Sequence, residues 1–241
     1  MKLKFWIVLD RAIPYTFLAF YTLLLLFLII GLVFQEKGNW ELWINSQHHP
    51  FLDLFFKTIT NLGDGLVAVF LIIPLILRRY ANGVLLALGF FIHAILVHLG
   101  KKVFFNGSLR PLAYFSEMEL HKVSGVKTAF FNTFPSGHTA SIFLFIMILL
   151  LTHSFNKIWQ VSLLMLAVLI AFSRVYLLQH FVWDVFAGSL VGVFSAFAAF
   201  YWINFFPFWP WMNKRLKIDV TKLKWQVKPG WKRTTYVDPK G

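Results

Sequence analysis

The stretch AIPYTFLAFYTLLLLFLIIGLVF, residues 12–34, contains no charged side chain. A bilayer's hydrocarbon core is about 30 Å thick and takes about 20 helical residues to cross, so this run reads as a transmembrane helix. It is too long for the apolar part of a cleaved signal peptide, and no Ala-x-Ala-like site follows it. The rest of the chain has the same character. Of its 241 residues 59% are hydrophobic and 14% charged, with 29 Phe and 10 Trp. That is too apolar for an ordinary soluble domain and marks an all-α integral membrane protein.

Five further apolar runs follow, at residues 65–77, 83–100, 136–152, 158–178 and 182–206. The first of these is short and contains Pro74. The expectation is a six transmembrane helix bundle over residues 1–206. Between the first two spans, residues 50–62 put Leu52, Phe55, Phe56, Ile59 and Leu62 at helical spacing, with Asp53, Lys57, Thr58 and Thr60 off that face. This is the pattern of a short amphipathic helix lying on the outer interface. A Trp and Pro cluster, residues 202–211, suits an interfacial belt. The basic segment 207–241 reads as a cytoplasmic, membrane-associated tail.

Six crossings put both termini on one side. Fifteen of the 23 Lys and Arg fall on that side; the other eight lie opposite, with seven of the ten acidic residues. The positive-inside rule makes the side of the termini cytoplasmic, in the cell (inner) membrane. Topology and attraction of the tail to an anionic lipid surface account for most of the +13 net charge, so no nucleic acid is expected. No obligate protein partner is evident. The chain has no cysteine, which excludes disulfides, thiolate catalysis and thiolate metal sites.

Among the outer basic residues, Lys101, Lys102, Arg110 and Arg174 sit at or near membrane level, where charge is costly and usually functional. Ser136, Gly137 and His138 open the fourth span. Ser173, Arg174, His180 and Asp184 bracket the connection from fifth to sixth. These clusters share the outer side and can converge on one pocket. Guanidinium forks without matching carboxylates suit the oxygens of phosphate. The helix start at Pro135–Gly137 adds backbone N–H groups and the positive end of a helix dipole. Asp184 follows His180 by four residues, hence on the same helical face, where it can accept the Nδ1 hydrogen bond and leave Nε2 to attack phosphorus.

Other readings use the same residues. His180 and Asp184 could hold a metal, but no third ligand has matching spacing and the surrounding cations would repel it. A transporter should carry polar residues through the membrane depth, whereas here they gather at one face. A non-catalytic lipid-binding protein would not need His138, His180 and Asp184 together. His93 and His98 are expected inside the bundle. His48, His49, His121 and His153 are expected in loops or at the interface, with His121 the one that could reach a substrate. Asp64 reads as a helix N-cap.

The motifs PSGH at 135–138 and SRVYLLQHFVWD at 173–184 resemble the second and third signatures of the type 2 phosphatidic acid phosphatase (PAP2) superfamily, Pro-Ser-Gly-His and Ser-Arg-x5-His-x3-Asp. KKVFFNGSLRP at 101–111 resembles the first, Lys-x6-Arg-Pro, with one departure. A six-residue gap before Arg110 would put the lysine at Val103; Lys102 leaves seven residues and Lys101 eight. Lys102 is taken as the motif lysine, with the loop at Asn106, Gly107 and Ser108 absorbing the extra residue, and Lys101 is the alternative. The resemblance covers about residues 101–188. It implies that His180 is the nucleophile forming a phosphohistidine, oriented by Asp184. His138 protonates the leaving oxygen and then activates water. Lys102, Arg110, Ser136, Gly137 and Arg174 hold the phosphoryl oxygens, and Ser173 has a supporting role. No metal and no cofactor are implied. The implied substrate is a membrane lipid phosphate reached from the outer, periplasmic face: phosphatidic acid, phosphatidylglycerol phosphate, undecaprenyl pyrophosphate or a lipid A phosphate. Lipid-to-lipid phosphotransfer at the same site is the alternative, and Asp64 resembles a recurrent acidic position of the family.

Overall fold

The computed structural model describes residues 13–64, 70, 79–205 and 214. The expected span at 65–77 lies outside these residues except for Phe70, and so does the basic tail except for Lys214. Eight helices run through the described residues: α1 (Tyr15–Phe34), α2 (Asn39–Ser46), α3 (Pro50–Ile59), α4 (Tyr80–Leu99), the single turn α5 (Pro111–Tyr114), α6 (Gly137–Thr152), α7 (Lys157–Tyr176) and α8 (Val182–Phe205). A 3-10 turn, Thr60–Gly63, extends α3, and a π turn, Gly100–Phe104, extends α4.

Four of these are long and apolar enough to cross a membrane: α1, α4 with its π turn, α7 and α8. Their ends have local causes. Pro14 is the N-cap of α1, and a proline disfavours helical backbone in the residue before it, so the helix starts later than the apolar run does. α7 stops at Tyr176 because the chain reverses at Leu178, which has a positive φ of 53°. On α1, Phe20, Leu23, Phe27, Ile30 and Phe34 are all exposed, an outward apolar face suited to lipid.

α6, 16 residues long, is buried over most of its circumference and forms the centre of the bundle. α8 lies directly along it. A Cβ at Gly188 would sit 2.5 Å from the Ser136 carbonyl oxygen, and one at Gly192 would overlap the Ala140 carbonyl. These two glycines, one helical turn apart, let the backbones meet in the manner of small-residue membrane packing. Phe143, Leu144, Ile148, Ala196 and Ala199 fill the core beside them.

α3 packs on the C-terminal half of α7: Phe56 is buried, with ring centroids 4.5 Å from Tyr176 and 5.3 Å from Phe172. Two residues expected on its polar side point elsewhere. Thr60 is buried in the bundle, and Asp53 is tied to α7 by the Tyr176 hydroxyl (2.6 Å) and to the connection between α5 and α6 by His121 Nε2 (2.8 Å). His121 also stacks on His48 at 4.0 Å, and its backbone exchanges hydrogen bonds with Asn45. His121 thereby clasps α2, α3 and the segment between α5 and α6. Burial pushes the Asp53 carboxyl up, but the bonds from Tyr176 and His121 outweigh it and hold the carboxyl below its usual range. His93 is buried on α4 as expected, whereas His98 is exposed, contrary to the expectation that it lies inside the bundle.

Candidate active site

The turn between α7 and α8 builds the centre of the site. The Gln179 and His180 amides both donate to the Arg174 carbonyl, at 2.9 and 3.1 Å, which closes the turn and carries His180 into the interior. There its side chain is fully enclosed. α8 begins one residue after Phe181, and its Val182 amide donates to the buried Glu41 carboxylate at 2.7 Å, a carboxylate placed at a helix N-terminus. Burial raises the Glu41 pKa, and the bond from Val182 works against that rise.

Asp184 folds back on this turn. Its Oδ2 accepts the Phe181 amide at 2.8 Å, lies 3.3 Å from His180 Nδ1, and accepts the Thr133 hydroxyl. A carboxylate facing Nδ1 holds the proton there, so Nε2 keeps its lone pair. Nε2 points at the cations: Arg110 Nη1 is 3.5 Å away. Burial first, then the charges of Arg110, Arg174 and Lys101, depress the His180 pKa well below 6.5, so the imidazole is neutral.

The three cations come from separate elements. Arg110 precedes α5 and is fixed by its Nε to Phe131 O (3.1 Å) and its Nη1 to Gln179 O (2.8 Å). Arg174, near the end of α7, donates from Nη1 to Thr60 Oγ1 at 2.8 Å, while its buried Nε has no hydrogen-bond partner among the described residues. An orphaned guanidinium N–H in the interior calls for an acceptor. The third is Lys101, whose Nζ donates to the Asn132 carbonyl at 3.3 Å and which feels the charges of Arg110, Asp184 and Arg174. Lys102, the lysine chosen from the sequence, is exposed, and it is the alternative, Lys101, that the structure sets beside the arginines. The reason lies in the π turn at Gly100–Phe104: its extra residue turns the helix face, and Gly100 seats against the Pro135 ring, where a Cβ would stand 2.5 Å from Pro135 Cδ.

His138 occupies the second position of α6, within electrostatic reach of Arg174, Asp64, Lys101 and Arg110. Ser136, expected among the phosphate-holding groups, stands at the entrance to α6. Fully buried, it caps α6, with its hydroxyl 2.9 Å from Thr139 Oγ1, and its amide donates to the Asp184 carbonyl at 2.9 Å. Its amide ties α6 to α8, and its hydroxyl oxygen accepts from Thr139. The amides of Gly137 and His138, at the first two helical positions, have no acceptor within the helix. Ser173 is buried and bonds the Ile170 carbonyl at 2.5 Å, a structural use. Among the described residues no three His, Cys, Asp or Glu side chains gather where a metal could sit.

The arrangement is a neutral histidine with a free Nε2, a second histidine, and three cations opposed by few carboxylates. It matches a known pattern: the family model of the PAP2 superfamily fits residues 80–208. The chain belongs to the PAP2 superfamily. Its α4-to-α8 region carries all the motif residues above. The chain resembles the crystal structure of Aquifex aeolicus LpxE, with a TM-score of 0.60 and 29% identity over 69% of this chain and 96% of that one. It also resembles the first transmembrane PAP2 type phosphatidylglycerolphosphate phosphatase from Bacillus subtilis, with a TM-score of 0.54 over 78% of this chain and 96% of that one. At 23% identity the latter likeness speaks for the fold alone. A segment of 69 residues is 44% identical to YbjG of Escherichia coli (strain K12), whose name assigns it undecaprenyl-diphosphatase activity provisionally. That segment spans 28% of this chain and about a third (33%) of YbjG. With these PAP2 neighbours and four helices of spanning length, the chain is a multi-pass membrane protein.

Three residues of this PAP2 site were not singled out for it from sequence. Thr60 holds Arg174, Gln179 holds Arg110 through its carbonyl, and Thr133 touches both His180 and Asp184. Thr133 lies two residues before Pro135, and its closeness to the PSGH motif was its only signal.

Proposed function

We propose that this protein is a membrane lipid phosphatase that acts through a phosphohistidine on His180. The carrying observation is His180 Nε2, 3.5 Å from Arg110 Nη1, beside a buried Arg174 whose Nε has no hydrogen-bond partner among the described residues. In the first step Nε2 attacks phosphorus and the P–O bond to the leaving group breaks, with His138 donating a proton to that oxygen. Lys101, Arg110, Arg174 and the α6 amides neutralise charge on the phosphoryl oxygens. In the second step water attacks phosphorus with His138 as base, the N–P bond breaks, and inorganic phosphate leaves. No step needs a metal.

A lipid substrate is favoured over a soluble one by what surrounds the mouth. Val103, Phe104, Phe105, Leu109, Phe130 and Phe131 are exposed apolar residues. Phe130 and Phe131 give their carbonyls to the Arg110 backbone amide and Nε. The segment that fixes a phosphate-binding arginine thus offers an apolar surface where chains can lie. The topology that fits the charge distribution places this mouth on the outer, periplasmic face, with six spans and cytoplasmic termini. Candidate substrates are undecaprenyl pyrophosphate, phosphatidylglycerol phosphate, lipid A phosphates and phosphatidic acid. The test is phosphate release by purified protein from each lipid in mixed micelles, with excess chelator and with vanadate. Release that survives the chelator and is blocked by vanadate is expected; activity abolished by the chelator and restored by a divalent cation would overturn the metal-free mechanism.

A further inference from the structure

Asp184 does not face His180 alone. Thr133 Oγ1 lies 3.3 Å from His180 Nδ1 and also donates its proton to Asp184 Oδ2. The hydroxyl has one proton, and Asp184 Oδ2, already holding the Phe181 amide, takes it. What Thr133 turns toward Nδ1 is therefore a lone pair, able to accept the Nδ1 proton. The two contacts of His180 Nδ1, with Asp184 and with Thr133, are equal at 3.3 Å, so neither group holds the ring alone by a short hydrogen bond. We propose that Thr133 is a positioning residue for the nucleophile: His180 Nδ1–H is shared between Asp184 and the Thr133 hydroxyl, and the hydroxyl passes the pull of the carboxylate to the ring.

The rest of the molecule holds Thr133 for this task. It is buried, and its amide bonds the Ser108 carbonyl and hydroxyl, at 3.3 and 3.2 Å. It stands between Asn132, whose carbonyl takes the Lys101 ammonium, and Phe134–Pro135 at the entrance to α6. One short segment therefore contacts both Lys101, through the Asn132 carbonyl, and His180, through the Thr133 hydroxyl. A valine has almost the same shape but neither donor nor acceptor. It would leave Oδ2 one donor short and Nδ1–H with the Asp184 contact alone.

This inference rests on the phosphohistidine reading above. The test uses the full chain purified in detergent: Thr133→Val, Thr133→Ser, Asp184→Asn and the double variant Thr133→Val with Asp184→Asn. Lipid-phosphate hydrolysis, phosphoenzyme formation and thermal unfolding are measured for each. For Thr133→Val we expect kcat and the rate of phosphoenzyme formation to fall about ten- to a hundredfold, the effect of losing hydrogen bonds to a charged group, with KM within about twofold of wild type. Thr133→Ser should restore most of kcat. The double variant should be little worse than Asp184→Asn alone, because both changes interrupt one path. Thr133→Val with wild-type kcat would overturn the proposal. So would equal losses in Val and Ser variants tracking lowered thermal stability, or full additivity with Asp184→Asn. Failure of wild-type protein to form a phosphoenzyme would instead remove the functional reading beneath it.

Discussion

His180 depends on burial and on its neighbours for its chemistry, and both can be tested at that residue. Its pKa is depressed in the folded state, so below about pH 6.5 the unfolded chain takes up the proton that the folded chain refuses. Stability from this group is full above about pH 6.5 and is lost progressively as pH falls below it. Thermal unfolding in detergent between pH 7.5 and 5 should show Tm falling with pH, and less steeply in His180→Asn. A second prediction separates the adjacent lysines. Lys101→Ala should lower kcat/KM about tenfold or more, and Lys102→Ala should leave it within about twofold, read with one lipid substrate. The pairing of His180 with Asp184 was expected from the sequence, but not by the route the structure takes: His180 lies in the turn before α8, and Asp184 folds back to it from the first turn of the helix. The choice between Lys101 and Lys102 was not legible, because a π turn alters the face by one residue and leaves no mark in composition. Nor were Thr60 and Thr133 legible as partners of the site. They lie 114 and 47 positions from the residues they touch, so their roles are set by packing rather than by local spacing.

Among the elements, the contact of α8 with α6 controls the site most directly. Gly188 meets the Ser136 carbonyl, and the Ser136 amide bonds the Asp184 carbonyl, so one backbone seam carries both His138 and Asp184. Gly188→Val should force the helices apart. Overpacking of this kind costs about 1–3 kcal/mol, and activity should fall by more than the loss of folded protein explains. Comparing phosphate release per folded molecule with Tm in detergent checks this; unchanged specific activity would separate the seam from the chemistry. The amphipathic helix at residues 50–62 was readable from its periodicity, and α3 occupies it. Its 3-10 end was not, and there Thr60 turns inward to meet Arg174.

For the whole molecule, the apolar runs and the charge bias between loops predicted a membrane bundle, and the described helices with their PAP2 relatives agree on a multi-pass fold. Hydrophobic length reads well from sequence because each spanning helix must satisfy its own backbone. Which helices touch is decided instead by small residues such as Gly188 and Gly192, whose meaning appears only once a partner is placed beside them. All three scales meet in one proposed event, transfer of a phosphoryl group from a lipid to a buried histidine. The direct measurement is a rapid quench of purified protein with lipid labelled at its phosphate, followed by mapping of alkali-stable phosphohistidine. Wild-type protein should carry the label on His180, and His180→Ala should carry none and release phosphate at least about a thousandfold more slowly. Label on another residue, or wild-type phosphate release by His180→Ala, would contradict it.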